Sequence, residues 1–518
     1  MKYRYNYSGL DRLLKLAPIA LVFFLSACAT PLQQQDQIKS FASPVALAGW
    51  SALDNNLPDA VNRSWFDPQA SGPYALSWRL AMIDTAQVSI DAQYFLWEED
   101  AVGSLLLDRL IQAADRGVRV RLLVDDSFLP GEDNMMLAAD AHPNLEMRIF
   151  NPFQKRSGHM LVRFVENLND YARINHRMHN KLLIADGKVA VVGGRNIADE
   201  YFGFNKAMNF RDFDLMVAGK IIPDISASYD SYWNSGWAFP VSQIDRFSYP
   251  TIELDELRTE LRANASVLEN WLRPGNMDAR NWSSEWSEVA AGMIPGDAVL
   301  LQDDPNVSSS NLPIQAAEQI VQRLRQAQTD VFSLSAYLIP SAEMINVVDE
   351  LTSRGVRVRA LTNSLASNNH VAAHSAYRKH RREMLEAGVD LHELRPDAQM
   401  RSQFEAQGFT AEHIGLHAKL LVLDKQLLFV GTINADPRSM RLNTEVSLII
   451  DSPVLGEVVT ELFSSDFEGE NSWQLSLDEN SKINWRSSEG LLKHQPAKNI
   501  WDRVGDFFYG VLPIEEQL

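Results

Sequence analysis

Apolar and polar positions fall into the same succession twice along the chain. Residues 88–126 open with an alternating stretch that ends at Tyr94, and residues 331–364 open with one that ends at Tyr337. Alternation with period two predicts a strand with one face against a core. Each stretch runs on into an amphipathic helix, with Leu105, Leu106, Leu110 and Ala113 at helical spacing in the first. Each then passes through Arg-Gly-Val-Arg-Val-Arg, at Arg116–Arg121 and Arg354–Arg359, into a second strand. The glycine is a natural cap for the helix C-terminus. Strand, helix and strand make a β-α-β unit, whose right-handed crossover requires parallel strands.

A second block repeats more closely. Residues 179–196 (HNKLLIADGKVAVVGGRN) and 417–434 (HAKLLVLDKQLLFVGTIN) share eight of 18 positions. Each predicts a hairpin of two apolar strands around a short turn. Gly117 to His179 spans 62 residues, as does Gly355 to His417, so both blocks keep one offset of 238. That is duplication of a whole domain. The expected class is α/β, with two duplicated sandwich domains at 71–224 and 311–470. Residues 28–70 read as a tether and N-terminal segment. Residues 225–310 lose the pattern and read as a packed linking region, with covering a ligand groove as the alternative. Residues 471–518 carry no interpretable motif.

The repeated block holds the candidate chemistry. Each copy has His-x-Lys-x4-Asp, at His179, Lys181, Asp186 and at His417, Lys419, Asp424. Gly-x-x-Asn follows, at Gly193 to Asn196 and Gly431 to Asn434. Residues i and i+2 of a strand share a face, so each histidine projects with its lysine. Asp186 and Asp424 lie at the far strand end, where a role in capping the hairpin turn is expected. A neutral imidazole can attack phosphorus, and a protonated one can supply a proton to the leaving oxygen. Lysines and asparagine amides can hold the non-bridging oxygens. One half supplies one histidine; two halves face to face supply a nucleophile and an acid. A lysine beside each histidine disfavours a metal, and no cofactor is expected.

The doubled motif resembles the phospholipase D superfamily over about residues 80–465. The phrases DAQYFLW and AADRGVRVRLLVDD look most like bacterial cardiolipin synthases and their envelope relatives. The resemblance implies two α/β sandwiches about a pseudo-twofold axis, with one site between them. It implies His179 as nucleophile, His417 as acid/base, and Lys181, Lys419, Asn196 and Asn434 as phosphate holders. It also implies an acid in each half that orients a histidine through its second ring nitrogen. Glu445 matches in the second half, 28 residues past His417, and Asp212 in the first, 33 past His179. Asp214 is the alternative to Asp212.

Charge and the N-terminus bear on the substrate. The net charge is −19, and an acidic body disfavours a nucleic-acid backbone. Lys2, Arg4, Arg12 and Lys15 precede a short apolar run, Leu16 to Leu25, and then Ser26, Ala27 and Cys28. The run is too short to span a membrane and reads as a signal peptide over 1–27. Cys28 is the only cysteine and stands where a bacterial lipoprotein is cut and lipidated. Family sorting rules read Ala29 as favouring the outer membrane. The expected activity is therefore phosphatidyl transfer to make cardiolipin-type lipids, on a lipid-anchored envelope protein acting on phospholipids. Hydrolysis to phosphatidic acid is the alternative, and a nuclease a third. The basic run Arg378 to Arg382 reads as a solvated helix face, with contact to anionic headgroups as its functional alternative.

Overall fold

The computed structural model describes residues 39–40, 48–128, 133–156, 160–244, 252–268, 271, 282–306, 315–406, 408–512 and 515–517. The leader and Cys28 lie outside the described residues. In the first half the strands are β1 (Ser64–Gln69), β2 (Ser89–Tyr94), β3 (Arg119–Asp125), β4 (Leu145–Phe150), β5 (Leu182–Ala185), β6 (Val189–Gly193), β7 (Met208–Arg211), β8 (Asp214–Gly219) and β9 (Ala238–Pro240). All but β7 form one sheet in the order β9-β4-β3-β2-β5-β6-β8-β1.

The second half follows with β10 (Ile294–Gln302), β11 (Asp330–Ser335), β12 (Arg357–Asn363), β13 (Asp390–Leu394), β14 (His413–Leu416), β15 (Lys419–Leu423), β16 (Leu427–Gly431), β17 (Val446–Asp451), β18 (Ser472–Leu477), β19 (Ile483–Ser487) and β20 (Gly490–Leu492). Its sheet runs β20-β19-β18-β13-β12-β11-β15-β16-β17-β10, with β14 outside it. The central order is the same in both halves. β2-β3-β4 and β11-β12-β13 are parallel, as the crossover helices require. The duplicated α/β plan is therefore present. One expected boundary differs: β11 stops at Ser335, two residues before Tyr337. There the Ser335 hydroxyl donates to the Tyr337 carbonyl and accepts from the Ala435 amide, which turns the chain out of the ladder.

Three features hold the halves together. β1 pairs antiparallel with β10 over Ser64–Phe66, joining the two sheets at an edge. β7 and β14 pair in parallel, Met208–Arg211 against His413–Leu416. Between the sheets lies one shared core, with Leu182, Ile184 and Val192 from the first half and Leu420, Val422 and Val430 from the second. Burying such side chains contributes about 1.5–3 kcal/mol each, which stabilises the docked halves.

The described residues of the linking stretch pack onto both halves. Helix Leu254–Ala265 lies on helix Ala101–Asp115 and buries Leu257 and Leu261. Trp286 meets Trp50 at 5.0 Å and Trp78 at 4.9 Å between ring centroids. β10 lies within the same stretch and belongs to the second sheet.

Candidate active site

His179 stands just before β5, and His417 just before β15, at matching ends of the two sheets. The pseudo-twofold arrangement is exact in its bonding logic. The His179 amide donates to the Thr444 carbonyl at 2.9 Å, and the His417 amide donates to the Arg211 carbonyl at 2.8 Å. Each carbonyl belongs to the residue before the other half's acid. His179 Nδ1 therefore faces Glu445, at 2.9 and 3.0 Å from its two oxygens. His417 Nδ1 faces Asp212 at 2.6 Å.

The spacing within each half pairs Asp212 with His179 and Glu445 with His417; the structure exchanges the partners. The cause is the β7–β14 pairing and the Met178–Thr444 bridge, which carry each acid across to the opposite sheet end. Asp214 has other partners: it accepts from Arg79 at 2.8 Å and from Arg195 at 3.1 Å. A nitrogen that faces a carboxylate carries the proton, which leaves Nε2 of each histidine for chemistry.

The lysines close over the same strand ends. Lys181 Nζ donates to the His179 carbonyl at 2.7 Å. Lys419 Nζ donates to the His417 carbonyl and lies 2.9 Å from His417 Nδ1. Asn196 and Asn434 are buried nearby, and the side-chain oxygen of each makes no hydrogen bond. Which amide atom is oxygen is assigned from the surrounding bonds. Turned over, each amide presents a free donor to an anion.

Gly193 and Gly431 permit close strand approach. A Cβ at Gly193 would lie 2.5 Å from Asp214 Cα, and one at Gly431 2.3 Å from the Val446 carbonyl. Asp186 and Asp424 are structural, but their side chains bond to the entry of a neighbouring strand and not to their own hairpin turn. Asp186 accepts from the amides of Gln87, Val88 and Ser89 and from the Trp50 indole, fixing the entry to β2. Asp424 accepts from Gln328, Thr329 and Asp330, fixing the entry to β11.

Aromatic rings flank the histidines, and the doubled motif gives no sign of them. Phe95 meets His179 edge-on at 4.9 Å, and Tyr201 meets His417 edge-on at 4.9 Å. Tyr201 also accepts from the Asn196 amide at 2.9 Å. The one available signal is position: Phe95 follows directly on the last residue of β2.

Burial dominates the electrostatics. It drives His179 well below the ordinary histidine value, with Lys181 and Lys419 adding to the effect. Burial and then Lys419 lower His417 to about 3. Lys181 falls to about 7 and Lys419 to about 8, again mainly through burial. The two acids then diverge. Burial pushes Glu445 up to about 7, opposed by Lys181 and by the side chains of Thr432 and Ser439. Burial also favours neutral Asp212, yet His417, Lys419 and Arg195 together hold that carboxyl below the usual carboxylate range. The site thus holds neutral imidazoles and readily titrated lysines, an environment suited to an incoming anion.

A family model described as cardiolipin synthase, phospholipase D-like domain matches residues 80–233 and 320–468. The chain belongs to this family of the phospholipase D superfamily. The chain is similar to cardiolipin synthase C of Escherichia coli K12, 34% identical over 453 residues that cover 85% of this chain and 93% of the relative. An uncharacterized Helicobacter pylori protein is 30% identical over 509 residues, covering 96% and 98%. The crystal structure of a Haemophilus influenzae phosphatidylserine synthase shares the fold, with TM-score 0.52 and 13% identity, covering 89% of this chain and 96% of that one. The doubled histidine–lysine motif of this phospholipase D-family chain thus sits where its two sheets converge.

Proposed function

We propose that the protein is a phosphatidyltransferase that makes cardiolipin-type lipids through a covalent phosphohistidine. The observation that carries the reading is the crossed pair of histidines with two buried lysines at one interface. The likeness to a cardiolipin synthase over most of both chains supports the lipid substrate.

In the first step His179 Nε2 attacks the phosphorus of a phosphatidyl donor. The bond to the leaving oxygen breaks, and His417 Nε2–H supplies its proton. In the second step His417 removes the proton of an acceptor hydroxyl, that oxygen attacks phosphorus, and the P–N bond breaks. Lys181, Lys419 and the two asparagine amides hold the non-bridging oxygens throughout. The divergent acids favour this division of roles. Asp212 stays ionised and supports a positive charge on His417, whereas the raised Glu445 favours a neutral His179. Anionic substrate raises His417 toward the protonated form the first step needs.

The leader motif supports lipidation at Cys28 and anchoring at the periplasmic face of the outer membrane. Mass spectrometry of the mature N-terminal peptide tests it, and an unmodified Cys28 overturns it.

For the reaction, the purified protein is given phosphatidylglycerol, and the lipid products are identified. Cardiolipin and free glycerol are expected, with a peptide carrying the phosphatidyl group on His179 after rapid denaturation at neutral to mildly alkaline pH, where a P–N bond survives. Phosphatidic acid as the sole lipid product, whatever acceptor is added, would establish hydrolysis instead.

A further inference from the structure

Helix Ile500–Gly510 turns a row of large apolar side chains to solvent. Ile500, Trp501, Val504, Phe507 and Phe508 are 70%, 77%, 52%, 67% and 58% exposed, and Val511 just beyond is 66% exposed. At 100° per residue these six form one stripe about 120° wide. Asp506 lies opposite and is buried. It accepts from His374 Nδ1 at 2.8 Å and from Gln495 at 3.0 Å, and it pairs with Arg378 at 3.3 Å. Asn499 caps the helix N-terminus. The inward face is thus locked, so the apolar stripe cannot roll under.

The basic run beneath this helix is mostly committed inward. Lys379 and His380 contact Glu515 at 3.1 and 2.7 Å, and Arg381 pairs with Glu393 at 2.6 Å. Lys379 and Arg382 are exposed, as the solvated-face reading expects, while the run as a whole ties down the C-terminal segment.

That segment leads to the site. Gln517 accepts from Tyr171 at 3.0 Å and from Asn175 at 2.7 Å, and its carbonyl accepts from Arg438 at 2.9 Å. Arg438 is four residues past Asn434, and its charge helps to lower His179. Gln517, six residues past Val511, thus lies against the wall of the catalytic interface.

We infer that helix Ile500–Gly510 docks the protein in the plane of a phospholipid bilayer and so sets the catalytic mouth against its substrate. A helix of 11 residues spans about 16 Å, half the hydrocarbon thickness, so it lies in the interface rather than across it. Trp501 and the two phenylalanines suit the boundary between headgroups and acyl chains. The exposed cations Lys493, Lys498 and Arg503 flank the stripe and complement anionic headgroups. The inference rests on the reading of the substrate as a phospholipid.

The test uses the full chain with Cys28→Ala, so that acylation plays no part and a single added cysteine can be labelled. Phe508→Cys carrying an environment-sensitive nitrobenzoxadiazole label is mixed with phosphatidylglycerol–phosphatidylethanolamine vesicles. A several-fold rise and blue shift of emission is expected, with none from the same label at Val61→Cys. In parallel, Trp501→Ser/Phe507→Ser/Phe508→Ser should lower turnover on vesicles at least tenfold. Turnover of a short-chain phosphatidylglycerol below its micelle concentration should be unchanged, which also shows that the variant folds.

Unchanged emission, or full vesicle turnover by the triple variant, overturns the inference. So does an emission change that needs only a higher protein concentration, because the stripe then binds a second copy. If the unsubstituted chain turns over neither lipid form, the transferase reading fails, while the labelled cysteine still reports docking.

Discussion

Tyr94 ends β2 in the first half and is buried between the sheet and its helices. Aligned through the β2–β5 and β11–β15 registers, the second half has Ser335 there. The helical layers differ in the same direction. Helix Ala101–Asp115 buries nearly every residue and is itself covered by Leu254–Ala265. Its counterpart Ala342–Ser353 buries Val347 and Leu351. The second half consequently keeps a cavity of about 130 Å³ among Val331, Leu338, Met344, Val348, Leu421 and Phe429, which reaches Lys419 and Asn434. Duplication has preserved the paired histidines, lysines and asparagines and has let their supports diverge. The catalytic symmetry is local, and the packing asymmetry surrounds it.

The largest expected effect breaks the local symmetry. His179→Ala and His417→Ala should each lower turnover about 10⁴-fold or more with phosphatidylglycerol. A donor with a p-nitrophenol leaving group should separate them, because that group departs without a proton. His417→Ala should then release p-nitrophenol in a burst, and His179→Ala should not. Equal responses would remove the division of roles.

The acids come next, at about 10²- to 10³-fold in turnover. Asp212→Asn should behave like loss of His417, with its defect relieved by the p-nitrophenyl donor. Glu445→Gln should show no relief. Pairing within each half predicts the reverse, so one assay decides whether the crossing operates in solution.

The pH profile of kcat/KM should be a narrow bell near neutrality. Lys181 and Lys419 lose their charge as pH rises through about 7 and 8, which removes anion binding. Glu445 gains a proton as pH falls through about 7, which weakens its hold on His179 Nδ1. Glu445→Gln should flatten the acid limb and leave the alkaline limb.

The smallest effects test the packing. Ala92 and Ser333 occupy equivalent sites, opposite Leu183 and Leu421. Ala92→Val should destabilise the tight first half by about 1–2 kcal/mol. Ser333→Val adds apolar volume beside the cavity and should stabilise by about 1 kcal/mol. Urea unfolding measures both, and equal signs would deny the contrast.

Much of the site is legible in the repeated words themselves. His179 and Lys181 are two residues apart, so strand geometry alone sets them on one face. The equal spacing from Gly117 and from Gly355 places both histidines at the same point of one fold. The partner of each acid is not legible, because sequence distance records the chain path and not which sheet end lies across the interface. The second copy breaks its own pattern for a similar reason. Gly187 turns the first hairpin at φ +60°, whereas Lys425 turns the second at +54°, and only tertiary constraint holds a lysine there. The docking helix shows as a run of mixed aromatics and charges. Its outward face is defined only once Asp506 finds His374.

The exchange of acids between the halves has a consequence for the order in which the molecule is made. His179 has left the ribosome long before Glu445 is synthesised, and until then it lacks the group that directs its proton. The first domain can reach its own fold early and still be chemically silent. Competence arrives in one step, when the second domain docks and both histidines gain their partners together.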